Sequence, residues 1–307
     1  MNNYYLVMYN RLFSRAGLSL ERLRTFVEVA DAGSMAKAAN GDAVRQSQFS
    51  RQIKELEEHF GRKLTVRSGR NVVLTSEGRD FAGLARQILG ALEDFQGDGE
   101  AKQIPVTLGS GESFHRGVVL PRLESIRQRL PGIRLELKNK RSSEVASALE
   151  EGTIDFGVID EKDLTESMKS ALLGRVRHRL VVSHGPKKRQ NAEGLTWRDA
   201  LRMPFIGMEG RGALTTMIEQ CGEKEKMPVH YLIKCASWHG IMDLLSHHEA
   251  AAVLPDLLPL PASCSQVEWP GLKPFDRVLH LAWDSRRGSL RLESDKWQRI
   301  LAELLKL

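Results

Sequence analysis

Cysteine is scarce. Cys221, Cys235 and Cys264 are three thiols in 307 residues, and no two stand at CxxC or zinc-ligand spacing. That excludes a disulfide framework and a zinc finger, and it points to a reducing, cytoplasmic setting. No apolar run approaches the ~18 residues of a membrane span. The N-terminal "YYLVMY" is too short for a signal-peptide core and has no basic residues before it, so residues 1–17 read as a loose extension. GxSxG, a P-loop, a complete dinucleotide fingerprint and paired metal ligands are also lacking. "GSGESF" at 109–114 has no Lys-Ser/Thr after it, and "SHHEA" at 246–250 lacks HExxH spacing. The expectation is a protein that is not an enzyme, with no metal, no cofactor and no membrane partner.

The length allows two or three domains, and 41% hydrophobic with 27% charged residues is ordinary globular composition. The net charge of +6 favours a polyanionic partner, although many basic proteins bind nothing acidic.

Residues 45–61, "RQSQFSRQIKELEEHFG", carry Phe49, Ile53, Leu56 and Phe60 on one helical stripe. Ser47, Arg51 and Lys54 face the other way, with Gln48 and Ser50 on the flanks. Upstream, "LSLERLRTFVEVADAG" is a helix that Gly33 stops, and Ser34 can cap the short, alanine-rich "SMAKAAN". A turn near Gly41 and Asp42 leads into the third helix, a helix-turn-helix arrangement. "RKLTVRSGRNVVLTSEG" then reads as a β-hairpin with a basic tip, the wing of a winged helix. From Gly33 to Thr75 eight Lys and Arg face four acids, and the acids gather mostly at the far end of the third helix. A major groove admits one helix and is read by such side chains. The candidate DNA contacts are Ser34, Lys37, Arg45, Gln46, Ser47, Gln48, Ser50, Arg51 and Lys54, with Arg67 and Arg70 on the wing. The alternative is a solvated polar face on an ordinary core helix.

A long helix follows from Ser76, with Thr75 as its cap. Phe81, Ala85, Ile88, Leu92 and Phe95 are spaced 4, 3, 4, 3, a heptad seam for self-association. Burial against the chain's own domain is the alternative. "QGDGEAKQIP" reads as a hinge.

Three strings in this order, "LERLRTFVEVADAGSMAKAA", "QSQFSRQIKELEEHFGRKL" and "RSGRNVVLTSEG", resemble the LysR-type bacterial transcriptional regulators over residues 18–97. The resemblance implies an α/β protein overall. Its parts would be a winged helix-turn-helix at 18–75, a dimerising linker helix at 76–97 and a two-lobed effector domain of periplasmic-binding-protein type at 104–307. It also implies double-stranded DNA, a small-molecule effector and a second copy of the chain (dimer or tetramer) as partners. The chain departs from the family pattern at the start of the reading helix. Arg45-Gln46-Ser47-Gln48-Phe49-Ser50 stands where Ser-Gln-Pro-Ala-Leu-Ser is usual, Asp42 replaces a common leucine, and Thr65 a common aromatic.

The remaining two hundred residues carry a strand and helix rhythm of their own. "IPVTLGSG", "HRGVVLPRLESIRQRLPG", "IRLELKNK", "SSEVASALEEG" and "TIDFGVID" alternate strand with helix and point to a parallel α/β lobe. "MPFIGMEG", "ALTTMIEQCG", "HYLIK", "SWHGIMDLLSHHE" and "AAAVLP" repeat the rhythm. "VLHLAW" returns to the first lobe, and a helix over 292–305 closes the chain. The expected division is lobe I at 104–162 and 264–307, and lobe II at 163–263. Ligands of open α/β sheets sit beyond strand C-termini near helix N-termini. That rule selects Ser110, Glu112 and Ser113, then Glu209 and Arg211, then Ser237, Trp238 and His239 as effector contacts. Helix N-termini and Arg211 favour a small organic anion, while Glu112 and Glu209 could select a cationic group.

Overall fold

The computed structural model describes residues 12, 14–68, 71–96, 104–185, 195–210, 212–284 and 294–307. Its first helices are set by their caps. Ser19 accepts from Arg22 N at the start of α1 (Leu20–Ala32), and Gly33 ends that helix with φ 68°. Ser34 accepts from Lys37 N and starts α2 (Met35–Ala38). Asp42 accepts from Val44 N and Arg45 N and starts α3 (Ala43–Phe60). Phe26, Phe49, Ile53, Leu56 and Leu64 close one core between these helices. Strands β1 (Thr65–Ser68) and β2 (Asn71–Leu74) form the antiparallel wing. The hairpin tip, with Arg70, lies outside the described residues.

Helix α4 (Ser76–Gln96) begins at a Thr75 cap, whose Oγ1 accepts from Gly78 N at 2.9 Å. A Cβ on Gly78 would stand 1.9 Å from the Leu64 carbonyl oxygen, so glycine is what lets α4 pass this close to the wing. The hinge expected at 97–103 lies outside the described residues.

Lobe I is a five-stranded sheet in the order β4-β3-β5-β12-β6. Its strands are β3 (Ile104–Ser110), β4 (Ile133–Asn139), β5 (Phe156–Asp160), β6 (Met168–Val176) and β12 (Arg277–Asp284). The first three run parallel, β12 lies antiparallel between β5 and β6, and β6 therefore runs in the direction of the first three. Lobe II has the order β11-β7-β10-β8-β9, built from β7 (His178–His184), β8 (Phe205–Met208), β9 (Tyr231–Cys235), β10 (Glu249–Pro255) and β11 (Cys264–Val267). Two boundaries expected above are thereby corrected. Met168–Val176 belongs to lobe I, because β6 pairs along its length with β12. Cys264–Val267 belongs to lobe II, because β11 pairs with β7. The crossings fall near Arg177 and over 268–276.

The helix expected over 115–132 is broken. Helical segment α5 runs Glu112–Phe114, a π turn His115–Val119, a 3-10 turn Leu120–Arg122 and an α-helix Leu123–Arg129. Pro121 offers no N–H to the preceding turn, and the register shifts around it. The lobes also hold α6 (Ser142–Glu150), α7 (Trp197–Arg202), α8 (Ala213–Lys224), α9 (Trp238–His247) and the closing α10 (Ser294–Leu304). Trp297 and Leu301 of α10 seal the lobe I core against Val106, Leu108 and Leu281. Among the described residues no helix is long and apolar enough to cross a membrane.

Candidate nucleic-acid interface and effector cleft

Helix α3 presents two unlike faces. Phe49, Ile53 and Leu56 are buried, while Gln46, Ser47, Gln48, Ser50, Arg51 and Lys54 are exposed. Arg51 and Lys54 keep 74% and 73% of their side chains in solvent. Their partners are one turn away on the same helix, Glu55 at 3.9 Å and Glu58 at 3.5 Å. Glu55 is also drawn aside by Arg22, whose Nε donates to it at 2.6 Å. Arg51 therefore keeps little to hold it back from another acceptor. Lys37 and the wing residue Arg67 are exposed as well.

Two residues expected at this face are engaged within the domain. Ser34 is buried and its hydroxyl is occupied in capping α2. Arg45 turns toward the domain, where it pairs with Glu28 and lies over the Phe49 ring, 5.1 Å from the centroid. The departures at Asp42 and Thr65 have local causes. Asp42 is exposed and caps α3, so this position holds no core side chain. Thr65 donates its N–H and its hydroxyl to Glu57, at 2.9 and 3.0 Å. The same carboxylate receives Leu64 N at 2.9 Å and Lys63 Nζ at 2.9 Å. Burial would raise the Glu57 carboxyl, but these donors outweigh it and hold the group below its ordinary value. Sequence reasoning did not single out Glu57; its one visible signal was a carboxylate among the buried positions of an amphipathic helix.

The seam expected on α4 is largely consumed within the chain. Phe81 meets Phe26 and Phe60, with ring centroids 5.1 and 5.0 Å apart, and Ala85 is fully buried in the winged-helix core. Ile88 packs partly against that core. Leu92 and Phe95 stay exposed, as does Leu84. The open apolar line is therefore Leu84, Ile88, Leu92 and Phe95. Arg86, from the same helix, donates to Asp31 Oδ1 at 2.6 Å and to the Glu151 carbonyl just past α6. It joins winged helix, linker and lobe I.

In the effector domain, Glu112 and α9 meet across the two lobes. The Glu112 carboxylate accepts from Trp238 N at 3.0 Å and from His239 N at 3.1 Å. An anion is thus already seated on the N-terminus of α9, where the helix dipole favours it. Arg116 donates to His239 Nδ1, so the ring's other nitrogen carries the proton and faces Asp243 at 3.2 Å. Ser237 caps α9 by accepting from Gly240 N. Trp238 packs against the lobe II core. Ser110 is fully buried and donates to the Gly111 carbonyl. Ser113 is half-buried beside Glu112, Glu209 is exposed after β8, and Arg211 lies outside the described residues. The structure brings Glu112, Trp238 and His239 together. His115, on the π turn, was not singled out above. It is buried, its Nε2 has no hydrogen-bond partner, and burial pushes its imidazole below the ordinary value.

Comparison with known proteins agrees with this layout. Residues 20–79 match the family description "Bacterial regulatory helix-turn-helix protein, lysR family", and residues 100–303 match "LysR substrate binding domain". The HTH-type transcriptional regulator YnfL of Escherichia coli K12 is 29% identical over 195 residues, 62% of this chain and 65% of that relative. The aligned stretch is thus just under two thirds of the relative's length. Full-length OxyR C199D from Pseudomonas aeruginosa superposes with a TM-score of 0.63 at 18% identity, covering 94% of this chain and 95% of that one. Full-length LysG from Corynebacterium glutamicum, which holds an Arg effector, gives 0.63 at 18%, covering 94% and 98%. At that identity the two structures speak for the fold. The chain belongs to the LysR family, with a helix-turn-helix and a substrate binding domain joined in one polypeptide.

Proposed function

We propose that this protein is a sequence-specific DNA-binding transcriptional regulator that responds to a small-molecule effector between its two C-terminal lobes. The observation that carries the reading is the outward face of α3, where Ser47, Gln48, Arg51 and Lys54 stand exposed on a helix whose back is locked into its own core. Arg51 and Gln48 suit base edges, and Arg67 suits a phosphate of the flanking backbone. Two copies joined along Leu84, Ile88, Leu92 and Phe95 would carry two such helices to two half-sites. The protein would act in the cytoplasm, with its DNA.

The effector expectation now carries a condition. Glu112 already occupies the N-terminus of α9, so an organic anion binding there must displace it. Displacement would free one lobe from the other and give the effector a differential interaction with two arrangements. Selection of duplexes from a random pool tests the DNA reading. The expected result is a discrete, two-fold-symmetric site. Gln46→Ala should weaken the selected site more than random DNA, and Arg67→Ala should weaken both alike. Recovery of random sequences alone would contradict the reading.

A further inference from the structure

Val44 stands on the outward face of α3 with 79% of its surface exposed, and it packs in none of the cores among the described residues. Its position on the helix is the informative part. Val44, Ser47, Gln48 and Arg51 follow at i, i+3, i+4 and i+7, so the valine shares one stripe with the polar residues of the reading face. It also lies in the first turn, the part of a reading helix that reaches deepest toward base edges. The Asp42 carboxylate accepts from Val44 N at 2.8 Å and from Arg45 N at 3.2 Å, which fixes that turn. A β-branched side chain in a helix is held largely in one rotamer, so its two methyls project in a fixed direction.

In the free protein this placement is unproductive. Valine is a poorer helix former than alanine, and an exposed isopropyl group gains nothing from water. Against DNA the chemistry changes. Among the base edges of the major groove, the thymine C5-methyl is the apolar group, and the rest present donors and acceptors. An isopropyl group set against O6, N7 or an exocyclic amine would strip water from that edge without replacing its hydrogen bond. We propose that Val44 is a specificity-determining residue that reads the C5-methyl group of one thymine in each half-site. The proposal rests on the regulator reading above.

The test removes the methyl from either side of the contact. Duplexes carrying the selected site are made with uracil in place of each thymine in turn, which deletes the C5-methyl and leaves the pairing edge unchanged. The wild-type protein should lose affinity about three- to fivefold at one thymine per half-site, the amount expected for one buried methyl. Val44→Ala should bind the unmodified site more weakly by a similar factor and lose the uracil effect at that thymine alone. Val44→Thr keeps a branched side chain with one γ-methyl and should retain the effect. Alanine is tolerated in an exposed helical turn, and circular dichroism would verify that the variant is folded. A wild-type protein indifferent to every uracil, or a Val44→Ala variant with the wild-type uracil profile, would overturn the assignment while leaving the regulator reading intact. Failure to select any discrete site would overturn the regulator reading, and the assignment with it.

Discussion

At Glu57 a single carboxylate ties the C-terminal part of α3 to the start of the wing. It receives Leu64 N, Thr65 N, the Thr65 hydroxyl and Lys63 Nζ. Glu57→Gln keeps the size but leaves fewer acceptor sites and no charge, and it should cost about 2 kcal/mol in urea unfolding. An unchanged midpoint would contradict this. The Glu57 carboxyl is held below its ordinary value of 4.5 in the fold. Its contribution is therefore complete above that value and is lost as pH falls through the lowered folded value. His178 acts at milder pH. It is buried, its Nδ1 lies 3.0 Å from the Phe275 carbonyl oxygen, and burial lowers its imidazole from 6.5. The neutral ring suits the fold, so its contribution is full above 6.5 and falls as pH drops below that value. The unfolding midpoint should decline as pH drops below 6.5, and His178→Gln should flatten the decline. The caps at Ser19, Ser34 and Asp42 follow a local rule and are legible from residue type. Glu57 was not legible, because its donors lie six to eight residues on, where the chain enters a strand whose path the sequence does not state.

Among the elements, α4 shows how far a repeat can be read. Phe81, Ala85, Ile88, Leu92 and Phe95 mark one apolar stripe, and the structure covers the first half of it with Phe26, Phe60 and the winged-helix core. Heptad spacing establishes that a stripe must be covered, and it does not say by what. Phe81→Ala should open a cavity and destabilise the winged helix by about 3 kcal/mol. Phe95→Asp combined with Leu92→Asp should leave the circular dichroism spectrum intact and shift sedimentation toward the monomer. A double variant that still sediments as wild type would place self-association on another surface. In α5 the apolar periodicity across 115–132 is real, but it runs through Pro121. The spacing conceals the π turn that a missing N–H imposes.

Across the whole molecule, the two-lobed plan was legible in the alternation of strand and helix, and the lobe boundaries were not. Strands β6 and β7 follow directly on one another, yet they enter different sheets at Arg177. Nothing in the residue pattern of Met168–His184 marks that change of partner. Glu112 is a similar case. Its rank as a ligand candidate came from its loop, whereas its contacts with Trp238 N and His239 N come from the approach of the second lobe. Glu112→Gln should loosen that contact and raise amide hydrogen exchange in the first turn of α9. Unchanged exchange there would mean that the carboxylate does not hold the lobes together.

The central claim is that the outward face of α3 reads DNA. Genome-wide footprinting of the tagged protein in vivo, repeated with Arg51→Ala, tests it most directly. Arg51 is exposed and weakly engaged, so its removal should leave the fold intact and cost about 1–3 kcal/mol of specific binding. The account predicts discrete sites with two-fold symmetry that fade or vanish in the variant. Sites that persist unchanged with Arg51→Ala, or the absence of discrete sites for a folded protein, would contradict it.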